Sequence, residues 1–289
     1  MKKLLFLLLM LPSLGFSQVE PDLYFTLLET YGDQFQAPHH YMLADSVNMR
    51  ACPGTQCQKK GLLRIGTPLT ILHQSNEIAT IKGIRSHWYE VKTADHQGWI
   101  WGGFIAKGAV RSHADRDIQF VFGLDRKEIE EGTPKYFYQI RAYKEHTVVA
   151  KLIFESYESE IHNLRNLGDV GVPNVKEVLV LDVPCRGGCG CTFGELVSFW
   201  DGKKMGKIIK LLGVGDAWAS SSQELIYPID MEGEEGYLIR VTSDYKDTKS
   251  SNVIERYIEK EYLKWNGQEL VKDPSRKVEY ESYLKTIGQ

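Results

Sequence analysis

The 289-residue sequence has few cysteines and histidines, and their positions restrict its chemistry. It contains five cysteines and eight histidines, and no histidine follows His162. It has no Gly-x-Ser-x-Gly nucleophile turn, no His-Glu-x-x-His helix and no glycine loop of the phosphate-binding type. These absences argue against serine hydrolase, zinc peptidase and nucleotide hydrolase chemistry, and we expect no cofactor.

The sequence also lacks an excess of positive charge and a long internal apolar run. Lys and Arg total 35 against 38 Asp and Glu, which gives a formal net charge of −3. A chain of this charge lacks the basic surface of a nucleic-acid binder. Beyond the N-terminus no segment approaches the roughly 20 apolar residues of a membrane helix. We therefore expect neither a nucleic-acid partner nor a transmembrane segment.

The N-terminus, MKKLLFLLLMLPSLGFSQ, joins two lysines to an apolar run that ends at small residues. This pattern predicts a signal peptide over residues 1–17, cut before Gln18, and hence a secreted or periplasmic protein. Its removal takes away Lys2 and Lys3 and changes the formal charge from −3 to −5. The following segment, 18–40, has the apolar spacing of a short amphipathic helix.

The rest of the chain predicts an all-β protein of two domains. Short alternating runs between residues 41 and 111 indicate a small barrel, and longer runs over residues 116–289 indicate an antiparallel β domain. The polar run from Ser112 to Asp117 is the predicted boundary.

The second domain contains one pattern twice. Trp200-Asp201-Gly202 and Trp265-Asn266-Gly267 each follow a strand-like run. Asp-Gly and Asn-Gly favour two-residue hairpin turns with positive φ angles. The repeat predicts a meander of antiparallel strands, with propeller-like blades as one form of it.

Motifs in the first domain follow one another in a specific order. They are Val47–Arg50 with Pro53–Thr55, then Gly61–Leu63 and Gly66–Leu72, then Trp88–Val91, then Gly98–Ile100. Their order and spacing resemble the bacterial SH3-like (SH3b) domain over roughly residues 41–107. The resemblance implies a small β barrel that binds a cell-wall glycan or peptide, above all peptidoglycan, or an envelope protein. The segment from His73 to Ser86 is longer than the family pattern and predicts an extended hairpin.

The run GWIWGGFI supplies the candidate ligand surface. A strand sends Ile100 to one face and Trp99 and Trp101 to the other. We expect Trp88 and Trp99 to lie in the core, because their burial would stabilise so small a barrel strongly. If Ile100 and Ile105 close the barrel, Trp101 and Phe104 lie near the surface. The predicted ligand-binding residues are Trp101, Phe104, Tyr89, Asn48 and Arg50. The alternative is that Trp101 and Phe104 pack against the second domain or the N-terminal helix.

The cysteines fall into two groups, and neither is expected to bind a metal. Cys52 and Cys57 flank a short loop and are predicted to form a disulfide. Cys185, Cys189 and Cys191 lie within the seven residues CRGGCGC. We expect one disulfide from Cys185 to Cys189 or to Cys191, with one thiol left over. A zinc site with His162 is the alternative, but the spacing is not an established zinc pattern.

Three functions follow as hypotheses. The first is an exported, non-catalytic binding protein of the cell envelope. The second is a cell-wall cysteine peptidase that uses Cys191 or Cys185, although a thiol nucleophile needs a nearby base and no histidine lies downstream. The third is a scaffold whose barrel docks onto its own second domain or onto a partner. The sequence leaves the oligomeric state open.

Overall fold

The computed structural model describes residues 40–158, 160–185, 190–216, 219–248 and 253–286. The predicted signal peptide, the predicted helix after it and Cys189 lie outside these residues. The described residues form β-strands and a short 3-10 turn, Gly102–Phe104, which confirms the all-β class. Among them, no helix has the length and apolar character needed to cross a membrane.

The first strands form a curled sheet, here called the barrel sheet. Its antiparallel neighbours follow the order β1-β4-β5-β6-β2-β3. The strands are β1 His40–Tyr41, β2 Val47–Arg50, β3 Lys59–Leu63, β4 Pro68–Ile81, β5 Ile84–Lys92 and β6 Gln97–Trp101. Ile100 and Ile105 are fully buried inside it, as predicted for residues that close the barrel.

The long hairpin predicted from His73 to Ser86 is confirmed by β4 and β5. Lys82 and Gly83 form its turn with φ angles of 51° and 75°, as a tight hairpin requires. The exposed tip also contacts a later strand, because the Lys127 N–H donates to the Lys82 carbonyl at 3.0 Å. The extension therefore attaches the barrel sheet to the strands that follow it.

The next strands form the middle sheet, in the order β10-β9-β8-β7. They are β7 Gly108–Arg111, β8 Gln119–Glu130, β9 Thr133–Lys144 and β10 Thr147–Ser156. Because β7 pairs with β8 along its whole length, residues 108–111 belong to this sheet and not to the barrel. The polar run from Ser112 to Asp117 is thus a loop within the middle sheet, where the sequence predicted a domain boundary.

The remaining strands form the C-terminal sheet. They pair without interruption from β11 to β18, and β19 pairs with β17. They are β11 His162–Asn166, β12 Glu177–Val183, β13 Cys191–Trp200, β14 Ile209–Gly215, β15 Ala219–Ile226, β16 Leu238–Thr248, β17 Val253–Trp265, β18 Leu270–Lys272 and β19 Glu279–Thr286. The predicted meander is present, but it is continuous and is not divided into propeller-like blades.

The two W-[DN]-G motifs form the same turn, although not the one predicted. Asp201 Oδ1 accepts the N–H groups of Lys203 and Lys204, each at 2.7 Å. Asn266 Oδ1 accepts those of Gln268 and Glu269, each at 2.9 Å. Gly202 and Gly267 have φ of 98° and 95°, whereas Asp201 and Asn266 keep negative φ. The acidic or amide residue therefore begins the turn and caps it with its side chain, in the manner of an Asx turn.

A single hydrophobic core, here called the shared core, joins all three sheets. The barrel sheet contributes Ile84, Trp88 and Trp101. The middle sheet contributes residues such as Phe120, Phe122 and Tyr138, and the C-terminal sheet residues such as Leu179, Leu181 and Trp200. The opposite face of the C-terminal sheet has its own core around Val178, Val180 and Phe199. Strand β12 is therefore buried on both faces, which explains its unbroken apolar run.

Replacing Gly83 by alanine should weaken the attachment of the hairpin tip. Gly132 provides a matched control, because it lies in a similar hairpin turn with φ of 83° and an added Cβ would meet no atom within 4 Å. An added Cβ at Gly83 would overlap the Lys127 carbonyl oxygen. We expect Gly132→Ala to lower the free energy of unfolding by about 1 kcal/mol from backbone strain alone. Gly83→Ala should lower it by about 1–3 kcal/mol more. Equal losses in urea unfolding would show that the tip is not attached.

Candidate functional site

Trp101, the central residue of the predicted ligand surface, is 2% exposed and lies in the shared core. Its Nε1 donates to the Ala79 carbonyl at 3.1 Å, and its ring meets Phe104 edge to face at 5.0 Å. The ring also lies so close to Gly103 that a Cβ there would overlap it. The prediction of a surface Trp101 is wrong, and the alternative of packing against the second domain is confirmed. Gly103 therefore makes room for the buried indole.

The other predicted ligand residues divide between the interior and the surface. Tyr89 is fully buried in the barrel core, so it offers no surface to a ligand. Phe104 is partly buried. It packs against the shared core and against the core inside the barrel sheet that contains Ile100 and Ile105. Asn48 and Arg50 alternate with the buried Val47 and Met49 and point outward, as the period of β2 predicts.

The structure exposes a different row of side chains, here called the Trp99 face. Register pairs place His73 opposite Glu90, Glu90 opposite Trp99, Trp99 opposite Arg50 and Arg50 opposite Lys59. Directly opposed residues of antiparallel strands share one face of a sheet. These five residues therefore cross the outer face of the barrel sheet, from β4 to β3. Trp99 lies at their centre. It packs against the shared core, as the sequence predicted, but it stays partly exposed.

A ring contact and two hydrogen bonds hold the side chains around Trp99 in place. The His73 ring meets Trp99 edge to face, with ring centroids 6.0 Å apart. Gln97 Nε2 donates to Glu90 Oε1 at 2.9 Å. Arg50 donates through one guanidinium nitrogen to the Cys57 carbonyl at 2.8 Å. The result is an aromatic ring bordered by both hydrogen-bond donors and acceptors, a combination that suits a sugar ring or an extended peptide.

A disulfide-closed loop borders this face. Cys52 and Cys57 are bonded, with their Cα atoms 5.6 Å apart, which confirms the predicted pair. Within the loop the Cys57 N–H donates to the Gly54 carbonyl at 3.2 Å. Because the same loop presents the carbonyl that Arg50 binds, the crosslink also fixes the position of the guanidinium group.

The second cysteine group forms a disulfide at the start of β13. Cys185 and Cys191 are bonded, with Cα atoms 5.5 Å apart, which is one of the two pairings that the sequence left open. Cys189 lies outside the described residues. His162 lies on β11 opposite Asp182, and burial lowers the pKa of its imidazole. Among the described residues no cluster of His, Cys, Asp and Glu has the geometry to hold a metal ion.

Comparison with known proteins identifies the first unit. Residues 45–106 match the family model of the bacterial SH3 domain, and this span contains β2 to β6 and the Trp99 face. These residues therefore form a bacterial SH3 domain. The C-terminal region matches no family. No curated protein and no solved structure matches the chain.

Two tryptophan substitutions should separate the buried position from the exposed one. Trp101→Ala removes an indole from the shared core and should lower the free energy of unfolding by about 3–5 kcal/mol. Trp99→Ala should lower it by about 1 kcal/mol, because its ring is already partly in contact with water. Urea unfolding followed by circular dichroism measures both. A larger loss for Trp99→Ala than for Trp101→Ala would contradict the burial assigned to the two tryptophans.

Proposed function

We propose that this chain is an exported binding protein of the cell envelope that acts without catalysis. Its bacterial SH3 domain would recognise peptidoglycan, or another cell-wall or protein ligand, through the Trp99 face. The observation that carries this proposal is the row His73–Glu90–Trp99–Arg50–Lys59 on the outer face of that domain, where each of these side chains is exposed or partly exposed. Trp88 and Trp101, on the same face of the barrel sheet, are covered by the middle and C-terminal sheets, whereas Trp99 packs against that core but is only partly buried.

The chemistry of the Trp99 face supports a ligand that combines apolar and polar groups. A partly exposed indole can stack on a sugar ring or on the backbone of an extended peptide. Arg50 and Lys59 supply positive charge for carboxylates, and Glu90 supplies an acceptor for hydroxyl or ammonium groups. Tryptophan and arginine are also the side chains that most often dominate binding energy at protein interfaces.

Export is supported by the cysteines as well as by the N-terminal sequence. Two disulfides, Cys52–Cys57 and Cys185–Cys191, use four of the five cysteines. Disulfides persist in oxidising compartments and are rare in the cytosol. This fits the predicted cut before Gln18 and a secreted or periplasmic destination.

Co-sedimentation with purified sacculi tests the proposal. The chain from Gln18 onward should pellet with sacculi, and Trp99→Ala should weaken its apparent affinity by about tenfold or more, since truncation of a central aromatic at an interface has effects of this size. Tyr280→Ala is the control, because Tyr280 is 73% exposed on the C-terminal sheet and its loss also removes a surface aromatic. Circular dichroism confirms that each variant is folded.

Two results would count against this function. Failure of the unmodified chain to pellet would remove peptidoglycan as the ligand and favour the scaffold hypothesis, which the docking of the barrel sheet onto the shared core already supports. Equal affinities of Trp99→Ala and the unmodified chain would place the ligand surface away from Trp99.

We also propose that the chain does not cleave the cell wall. A cysteine nucleophile must be a thiolate, and the disulfide between Cys185 and Cys191 leaves neither sulfur free while it is intact. Sacculi incubated with the oxidised chain should release no soluble fragments by an amine or reducing-sugar assay. Release that disappears in Cys185→Ser or Cys191→Ser would instead establish the cysteine peptidase.

A further inference from the structure

A concave surface lies where the middle sheet meets the C-terminal sheet, and is here called the junction pocket. Its volume is about 560 Å³, which falls in the range of small-molecule sites. It forms between the end of β7, the loop after β7 and the end of β11. Its lining residues are Val110, Arg111, Ser112, His113, Arg116 and Asn166. None of them belongs to the Trp99 face.

A buried carboxylate holds the loop of this pocket in position. Glu177 is fully buried, and its Oε1 accepts the backbone N–H groups of His113 and Ala114, the latter at 2.9 Å. Asn166 Nδ2 donates to the same oxygen and to the Arg111 carbonyl, at 3.1 Å each. The loop is therefore anchored by its backbone, which leaves its side chains available to line the pocket.

Around the pocket, among the residues that the structure describes, the acidic side chains of the loop form ion pairs, whereas the arginine side chains do not. Asp115 and Asp117, the acidic residues of the same loop, both face Lys144, whose Nζ lies 4.0 Å and 2.8 Å from their carboxylates. Arg111 and Arg116 make no ion pair and no side-chain hydrogen bond within the part of the chain that the structure describes. The two guanidinium groups that line the pocket therefore face one buried carboxylate, that of Glu177, since the carboxylates of Asp115 and Asp117 are paired with Lys144.

We propose that the junction pocket binds an oxyanion, the carboxylate or phosphate group of a small ligand, through Arg111 and Arg116. A guanidinium group presents parallel N–H donors that match the paired oxygens of both groups. The hydroxyl of the buried Ser112 is a further donor in the wall, whereas Asn166 holds the loop in place and has both Nδ2 hydrogens already donated. Electrostatic attraction between exposed charges weakens with ionic strength, so binding here should weaken as salt is added.

Three small probes test this site and separate its two ligand sources. Inorganic phosphate, N-acetyl-Ala-Ala with a free carboxylate and the same dipeptide with a C-terminal amide are titrated into the ¹⁵N-labelled chain from Gln18 onward. Phosphate, the free dipeptide or both should shift the backbone N–H resonances of residues 111–116, and the amide should not. A shift with phosphate alone assigns a phosphoryl group, and a shift with the free dipeptide alone assigns a carboxylate.

Variants of the two arginines provide the decisive comparison. Arg111→Ala/Arg116→Ala should weaken binding of the active probe by about tenfold or more, because charge-assisted hydrogen bonds are lost. Lys203→Ala/Lys204→Ala is the control, since it removes the same charge from an exposed turn of the C-terminal sheet. The proposal is overturned if no probe shifts these resonances, if the amide binds as well as the free dipeptide, or if the arginine variant binds unchanged. Because the site shares no residue with the Trp99 face, these results are independent of sacculus binding.

Discussion

The burial of Trp101 in the shared core is the interaction on which the arrangement of this molecule depends. Complete burial of an indole removes roughly 200 Å² of apolar surface from water, which at about 25 cal/mol per Å² gives an upper estimate of about 5 kcal/mol. Trp88 contributes to the same core. Together these side chains commit one side of the barrel sheet to contact with the middle sheet. The other end of the same outer face, around Trp99, stays partly exposed.

The sequence predicts local features of the SH3 domain well, because they depend on nearby residues. The alternation of β2 correctly sends Asn48 and Arg50 outward, and the period of β6 correctly separates Ile100 from its flanking tryptophans. The disulfide between Cys52 and Cys57 follows from a short loop. Which flanking tryptophan is more deeply buried could not be predicted, since it depends on a core shared with sheets that are distant in sequence. The Trp99 face could not be predicted either, because its residues become neighbours only through the register of strands that are separated in sequence.

In the C-terminal sheet, the sequence identifies the W-[DN]-G repeat but does not predict which core each of its tryptophans enters. The W-[DN]-G repeat marks two equivalent turns, yet its tryptophans enter different cores: Trp200 meets Phe120 at 5.5 Å in the shared core, and Trp265 meets Phe199 at 4.7 Å on the other face. Equivalent turns therefore do not imply equivalent blades. The continuous apolar run of β12 is more informative. It predicts a strand that is buried on both faces and therefore has a packed layer on each side.

Native-state hydrogen exchange measures most directly whether the shared core joins the sheets into one cooperative unit. The relevant amides are those of Tyr89 and Ile100 in the barrel sheet and of Phe120 and Tyr138 in the middle sheet. If the shared core couples the two sheets, all four should exchange with the same opening free energy and the same dependence on denaturant. Barrel amides that open at a lower free energy and with a weaker denaturant dependence would show that the SH3 domain unfolds by itself, and would contradict this account.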